Sequence, residues 1–223
     1  MTTAAAVRVA AVDDDTVIRD GLPLLLPDLD FVGRFSSVEA LLEAGPACDV
    51  VLLDLELDGA GTRGRLQGGA AVRAVTEKGF LVLIYTNEPR REVLAGCLAA
   101  GARGVVGKAE PMANVRTAID AVVAGRVVLT QAMVGLVELA ERRGILGGLS
   151  ERQRTILSAR ARGESFASIG ARLFISRRTA EDHWAQVASK FADYLADHSA
   201  ADLERRLGIG PGDLLDDEPG RSR

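Results

Sequence analysis

The chain has 223 residues, enough for one large domain or two small ones. Hydrophobic residues make up 48% of it and aromatic residues only 4%, so the core has to be mainly aliphatic and global disorder is excluded. No apolar run approaches the roughly 20 residues that span a bilayer, and the start of the chain lacks the basic and apolar regions of a signal peptide. The two cysteines, Cys48 and Cys97, give neither a disulfide framework nor a metal-binding spacing. We therefore expect a cytoplasmic protein without membrane contact.

The net charge of −4 is unevenly distributed along the chain. Residues 149–190 contain 8 basic and 4 acidic residues and carry a net charge of +4, whereas residues 1–148 and 191–223 each carry −4. A basic segment within an acidic chain is typical of a surface that contacts phosphates of nucleic acid.

The first half of the chain alternates short apolar runs with helical patterns. The predicted strands are Val7–Val12, Phe31–Phe35, Val50–Leu53, Leu81–Tyr85 and Gly104–Val106, and the predicted helices are Val17–Leu26, Val38–Ala44, Leu66–Lys78, Arg91–Ala100 and Met112–Ala124. Strands that alternate with helices in this way form a parallel sheet. The sequence thus predicts an α/β domain over residues 1–125, with a flavodoxin-like, doubly wound five-stranded parallel sheet. Asp58–Gly69, after the third strand, is predicted to form an extended loop.

The second half shows helical patterns throughout. Residues 126–148 are predicted to be a linker containing a helix over Leu129–Arg143, and residues 149–207 an all-α helix-turn-helix domain. Ser150 and Gln153 match a capping box at the start of its first helix. Its third helix has a buried stripe formed by Ala180, Trp184, Val187, Ala188 and Phe191. An extra amphipathic helix is predicted from Asp193 onward, followed by a mobile acidic tail over residues 208–223.

Polar side chains follow four of the predicted strands. Asp13 and Asp14 come after the first strand, Asp54 after the third, Thr86 after the fourth and Lys108 after the fifth. Ligands of doubly wound sheets bind outside the carboxyl ends of the strands, so we expect these side chains to form one site.

At these residues the chain resembles the response regulators that join a receiver domain to a LuxR-type, also called NarL/FixJ-type, helix-turn-helix. The resemblance rests on seven segments that occur in the expected order: Val9–Asp14, Val50–Asp54, the hydrophobic strand that ends in Thr86, Gly101–Lys108, Leu149–Gln153, Ile169–Ser176 and Thr179–His183.

This resemblance implies that a histidine kinase transfers a phosphoryl group to Asp54. An aspartate can hold phosphorus as an acyl phosphate, but its attack on an anionic group requires charge neutralisation. The resemblance assigns a Mg²⁺ ion to that task, because Mg²⁺ prefers oxygen ligands. The implied metal ligands are Asp13, Asp14, Asp54 and the carbonyl of Glu56, and the implied phosphate-stabilising side chains are Thr86 and Lys108.

The resemblance also implies a DNA-binding transcription regulator that forms a homodimer on DNA. The third helix of the second half would enter the major groove. The residues expected at DNA are Arg177, Arg178, Thr179, Glu181, Asp182, Gln186 and Lys190. The two arginines are expected on phosphates and Glu181, Asp182 or Gln186 on bases, although two acids on this face repel phosphates.

Three alternative functions remain open at this point. A vestigial receiver could be attached to a phosphorylation-independent regulator, and Glu181 and Asp182 would also suit a protein-interaction module. An enzyme similar to the haloacid-dehalogenase-type phosphatases would need an acid at position 56 followed by Thr or Val. Glu56 and Leu57 fit that pattern poorly, so we do not expect an enzyme.

Overall fold

The computed structural model describes residues 6–57, 66–198, 205, 206 and 208. Within them the elements are β1 (Arg8–Val12), α1 (Thr16–Leu25), β2 (Asp30–Phe35), α2 (Val38–Ala44), β3 (Val50–Leu53), α3 (Gly68–Glu77), β4 (Val82–Thr86), α4 (Arg91–Ala99), β5 (Gly104–Gly107), α5 (Met112–Val123), α6 (Gln131–Arg142), α7 (Glu151–Ala161), α8 (Phe166–Leu173) and α9 (Arg177–Asp197). Most of the predicted loop at Asp58–Gly69 and of the predicted C-terminal tail lies outside the described residues, although α3 already begins at Gly68.

The first half of the chain forms one parallel sheet in the order β2-β1-β3-β4-β5. This is the strand order of the predicted flavodoxin-like fold, and the prediction is confirmed. All residues of β3 and β4 are buried, which explains why these strands lack polar alternation. The order changes direction between β1 and β3, so a crevice opens at the carboxyl ends of these strands.

The helices cover both faces of the sheet. On one face, α1 and α5 pack through a cluster that includes Leu22 and Ile119. On the other face, α2, α3 and α4 pack through a larger cluster that includes Leu41, Val72 and Leu94. This second cluster continues without interruption into α6, α7, α8 and α9, and both α6 and α9 contact α4. The two halves of the described chain therefore share one hydrophobic core.

The segment between α5 and α6 pairs with the free edge of the sheet. Val128 accepts a backbone hydrogen bond of 2.9 Å from Val105 and donates one of 3.0 Å to Arg103. This pairing requires a glycine opposite Val128, because a Cβ atom on Gly104 would lie 2.8 Å from both the Cβ and the carbonyl oxygen of Val128. The linker thus covers the outer edge of β5.

The second half contains the predicted helix-turn-helix. Side chains of Ser150, Ser165 and Ser176 cap the three helices α7, α8 and α9, and Ser150 forms the predicted capping box with Gln153. Between α8 and α9, Phe174 adopts a left-handed backbone with φ of 54°, and its side chain is 97% exposed.

Helix α9 is longer than predicted. The separate helix expected from Asp193 does not begin there, because α9 continues without a break to Asp197. No glycine or proline stands between Phe191 and Asp197, and Leu195 extends the buried stripe by another turn.

Within the described residues, no helix is both long and apolar enough to cross a membrane.

We predict that Gly104→Ala destabilises the protein by about 1–3 kcal/mol, because the added methyl group overpacks the contact with Val128. Gly21→Ala in α1 is the matched control. Its new Cβ would meet no atom within 4 Å, so we expect a stabilisation of about 0.5–1 kcal/mol from the gain in helix propensity. Urea denaturation measures the free energy of unfolding of both variants. Equal changes in this free energy would show that the contact between Val128 and β5 can accommodate the added methyl group.

Candidate functional site: the carboxyl ends of the strands and helix α9

Lys108 joins the ends of three strands. Its Nζ atom lies 2.8 Å from Oδ2 of Asp13, which follows β1, and 2.7 Å from Oδ2 of Asp54, which follows β3. Its backbone N–H donates a 3.0 Å hydrogen bond to the carbonyl of Thr86 at the end of β4. The side chains of Asp13, Asp54 and Thr86 are buried. Asp13 and Asp54 meet at the Lys108 ammonium group, whereas Thr86 contacts Lys108 through its backbone carbonyl.

Backbone hydrogen bonds orient the two carboxylates. Oδ1 of Asp13 accepts from the N–H of Asp15 at 2.9 Å, and Oδ1 of Asp54 accepts from the N–H of Leu55 at 2.8 Å. Asp15 itself caps helix α1. Each buried carboxylate therefore has one oxygen fixed by the backbone and the other directed at the Lys108 ammonium group.

The acidic residues offer the donor set of a hard cation. Among the described residues, Asp13, Asp14 and Asp54 each have a carboxylate oxygen within 4.8 Å of the others. Carboxylate oxygens at this spacing suit Mg²⁺. The side chain of Glu56 is exposed and is not part of this group.

Burial controls the protonation of this crevice. It raises the pKa of Asp13, even though the Lys108 ammonium group acts in the opposite direction. Burial alone would lower the pKa of Lys108, but the hydrogen bonds and charges of Asp13 and Asp54 outweigh it and raise that pKa. Lys108 therefore remains a cation at neutral pH, with the Tyr85 ring centroid 6.0 Å from its Nζ atom.

A second charged contact, missed in the sequence, organises the loop between β4 and α4. The buried carboxylate of Glu88 accepts hydrogen bonds from Arg90 Nε at 2.9 Å and Nη2 at 2.6 Å, and these bonds lower its pKa. The backbone N–H of Glu88 donates to the Thr86 hydroxyl at 3.2 Å. Thr86 is thus connected through a folded loop to the start of α4. The only signal in the sequence is the opposite charge of two residues that flank Pro89.

We predict that Lys108→Met destabilises the protein by about 3–5 kcal/mol at pH 7.5, because it leaves two buried carboxylates without their cation. The difference in the free energy of unfolding between the variant and the wild type should become smaller as the pH falls to 5. Protonation of Asp13, whose pKa burial already raises, removes the repulsion in the variant. Lys108 stays charged in the wild type over this range, because its pKa is raised. The stability that this charge contributes is lost only when the pH rises through that pKa.

Urea denaturation at both pH values measures this effect. Lys78→Met, at an exposed position after α3, is the control and should cost little at either pH. An equal deficit for Lys108→Met at pH 7.5 and pH 5 would contradict the prediction.

The residues predicted to contact DNA divide into two groups on α9. Arg177, Arg178, Asp182 and Gln186 are exposed. Glu181 is half-buried, and its Oε1 atom lies 2.7 Å from Nε of Arg177, so part of its charge is neutralised within the helix.

Thr179 and Lys190 are engaged within the helical half. The Oγ1 atom of Thr179 lies 2.8 Å from Oγ of Ser176, in the N-cap of α9. Nζ of Lys190 donates to the carbonyl oxygen of Gly148 at 2.5 Å. The predicted residues that are exposed on α9 are therefore Arg177, Arg178, Asp182 and Gln186. Trp184 lies in the core, as its place in the apolar stripe predicts.

The chain is similar to known bacterial regulators. The model of the luxR family of bacterial regulatory proteins matches residues 148–192. The DNA-binding transcriptional activator DevR/DosR of Mycobacterium tuberculosis is 31% identical over 195 residues, covering 82% of this chain and 88% of that protein. The probable transcriptional regulatory protein SgaR of Hyphomicrobium methylovorum is 31% identical over 187 residues, covering 81% and 84%.

Solved structures show the same architecture. The response regulator RcsB of Salmonella typhimurium superposes with a TM-score of 0.53 at 19% identity, covering 91% of this chain and 98% of that one. A complex described as two RcsB dimers bound to two parallel DNAs gives the same TM-score at 18% identity, covering 92% and 99%. At these identities the likeness concerns the fold alone.

Proposed function

Since the chain belongs to the LuxR-type response regulators, we propose that it is a DNA-binding transcription regulator whose activity is controlled by phosphorylation of Asp54 by a histidine kinase. The observation that carries the proposal is the position of Lys108, whose ammonium group lies between Asp13 and Asp54 at the carboxyl ends of β1 and β3. A cation held beside a nucleophilic carboxylate is what transfer of an anionic phosphoryl group requires.

The backbone orients Asp54 for this transfer. Its Oδ1 atom is held by the Leu55 N–H, and its Oδ2 atom faces Lys108. When Oδ2 attacks the phosphorus of a phosphohistidine, a P–O bond forms and the P–N bond to the histidine breaks. Lys108 then pairs with the new phosphoryl oxygens instead of the carboxylate, and the Thr86 hydroxyl donates to them.

The acids Asp13, Asp14 and Asp54 fit Mg²⁺ through their chemistry and their mutual spacing. When bound, the ion supplies positive charge that offsets the repulsion between Asp54 and the incoming phosphoryl group. The backbone carbonyl of Glu56 is proposed as a further ligand.

Helix α4 connects the phosphorylation site to the DNA-binding half. Its start is linked to Thr86 through the Glu88–Arg90 contact, and its apolar face packs against α6 and α9. When Thr86 moves toward a phosphoryl group, the hydrogen bond between its hydroxyl and the Glu88 N–H is lost and the loop before α4 changes conformation. The packing of α4 against α9 changes as a consequence. Phosphorylation thus biases a packed interface between two arrangements.

We predict that acetyl phosphate labels the wild type in a Mg²⁺-dependent reaction and that Asp54→Asn abolishes the label. Intact-protein mass spectrometry measures it as one added phosphoryl group. Asp49→Asn is the matched control, because Asp49 lies immediately before the same strand, β3, at its opposite end. Absence of the label from the wild type would contradict the proposal and favour a vestigial receiver, and labelling of Asp54→Asn to the wild-type level would place the phosphoryl group on another residue.

The start of α9 provides the surface proposed for DNA. Arg177 and Arg178 are exposed beside the N-terminus of a 21-residue helix, where the helix dipole also favours phosphate. Asp182 and Gln186 lie further along the helix and are also exposed. We propose that α9 enters the major groove and, by analogy with the structure of RcsB dimers bound to DNA, that two copies bind together.

We predict that Arg178→Ala weakens DNA binding to all sequences by a similar factor and reduces the salt dependence of log K by about 1, because one phosphate contact is lost. Fluorescence anisotropy at several salt concentrations measures both quantities. Arg73→Ala, at an exposed position on α3, should leave them unchanged. An unaltered salt dependence for Arg178→Ala would place Arg178 outside the DNA interface.

A further inference from the structure

The side chain of Gln153 connects helix α7 to the open face of α9. Gln153 is 6% exposed and is the third residue of α7. Its Oε1 atom accepts a 2.9 Å hydrogen bond from the backbone N–H of Ser150, and its Nε2 atom donates a 2.8 Å hydrogen bond to Oε1 of Gln186. A buried amide thus bonds to an exposed residue 33 positions later in the chain.

The two bonds fix the orientation of both amides. The Ser150 backbone N–H can only donate, so the atom of Gln153 that faces it must be the oxygen. The nitrogen of Gln153 is then the atom that faces Gln186, and it can only donate in turn. The accepting atom of Gln186 must therefore be its oxygen, which leaves the NH₂ group of Gln186 on the side away from Gln153.

We infer that Gln153 is a positioning residue that fixes Gln186 as a hydrogen-bond donor toward acceptor atoms of DNA. This inference rests on the proposed function, because it requires α9 to lie against DNA. A freely rotating glutamine binds adenine through one donor and one acceptor. Gln186 instead offers its donors, which suit guanine O6, thymine O4 or a phosphate oxygen. Adenine N7 also accepts a hydrogen bond, but the neighbouring N6 amino group is a donor and disfavours a second N–H group.

The variant Gln153→Glu reverses this orientation with little change to the fold. A glutamate at this position still accepts from the Ser150 N–H and completes the same capping box. Its second carboxylate oxygen can only accept, so Gln186 has to turn its NH₂ group toward residue 153 and its oxygen toward DNA. We therefore expect Gln153→Glu to favour base donors, namely adenine N6 or cytosine N4.

The test selects binding sites from a random DNA pool with the full-length wild type, Gln153→Glu and Gln186→Ala. Thr155→Glu adds the same charge to α7 two residues further along and serves as the control. We expect one position at which the wild type prefers guanine or thymine by about fivefold, in line with one net hydrogen bond. Gln186→Ala should lose this preference, Gln153→Glu should change it to adenine or cytosine, and Thr155→Glu should keep it.

A phosphate acceptor gives a different result that also supports the inference. In that case Gln186→Ala and Gln153→Glu keep the wild-type base preferences but bind every sequence more weakly, while Thr155→Glu does not. Unchanged preference and affinity in Gln153→Glu would overturn the inference, as would an equal change in Thr155→Glu. Failure of the wild type to bind any DNA would contradict the proposed function itself, and circular dichroism of each variant confirms that the helices are intact.

Discussion

One buried cation, the ammonium group of Lys108, allows two carboxylates to share the crevice at the end of the sheet. Asp13 and Asp54 are both almost inaccessible to water, and each has a carboxylate oxygen within 4.8 Å of the other's. Two negative charges so close together repel each other strongly in a protein interior. Lys108 lies between them and offsets this repulsion, and the Leu55 N–H orients the carboxylate of Asp54, the proposed phosphoacceptor. Under the proposed function, a phosphoryl group on Asp54 would take over part of its contact with Lys108, so ligand binding and the position of the residue that follows β5 would be coupled.

Much of this arrangement follows from the order of residues along the chain. Apolar runs that end in Asp13, Asp54, Thr86 and Lys108 predict a parallel sheet, and a parallel sheet places its strand ends together. The capping serines of the helical half are equally local signals. The sequence pattern therefore predicted the fold and the meeting of Asp13, Asp54 and Lys108 at the strand ends.

Contacts between side chains that are distant in the sequence could not be predicted in this way. The bonds from Lys190 to Gly148 and from Gln153 to Gln186 depend on how α7 and α9 pack, which periodicity does not specify. The length of α9 was missed for a related reason. The sequence from Phe191 to Asp197 contains no helix breaker, but the burial of Leu195 in the shared core, which makes the apolar stripe continue, depends on packing.

The pairing of Val128 with β5 has a consequence for how the chain can be divided. An unpaired strand edge exposes backbone N–H and C=O groups that readily bind another chain. A fragment that stops at residue 125, after α5, would lose the cover that Val128 gives to Val105 and Arg103 and would be prone to self-association through that edge. A fragment that retains residues up to 130 keeps this edge closed but exposes the face of α4 that packs against α6 and α9, so comparing the two fragments would separate association through the strand edge from association through α4.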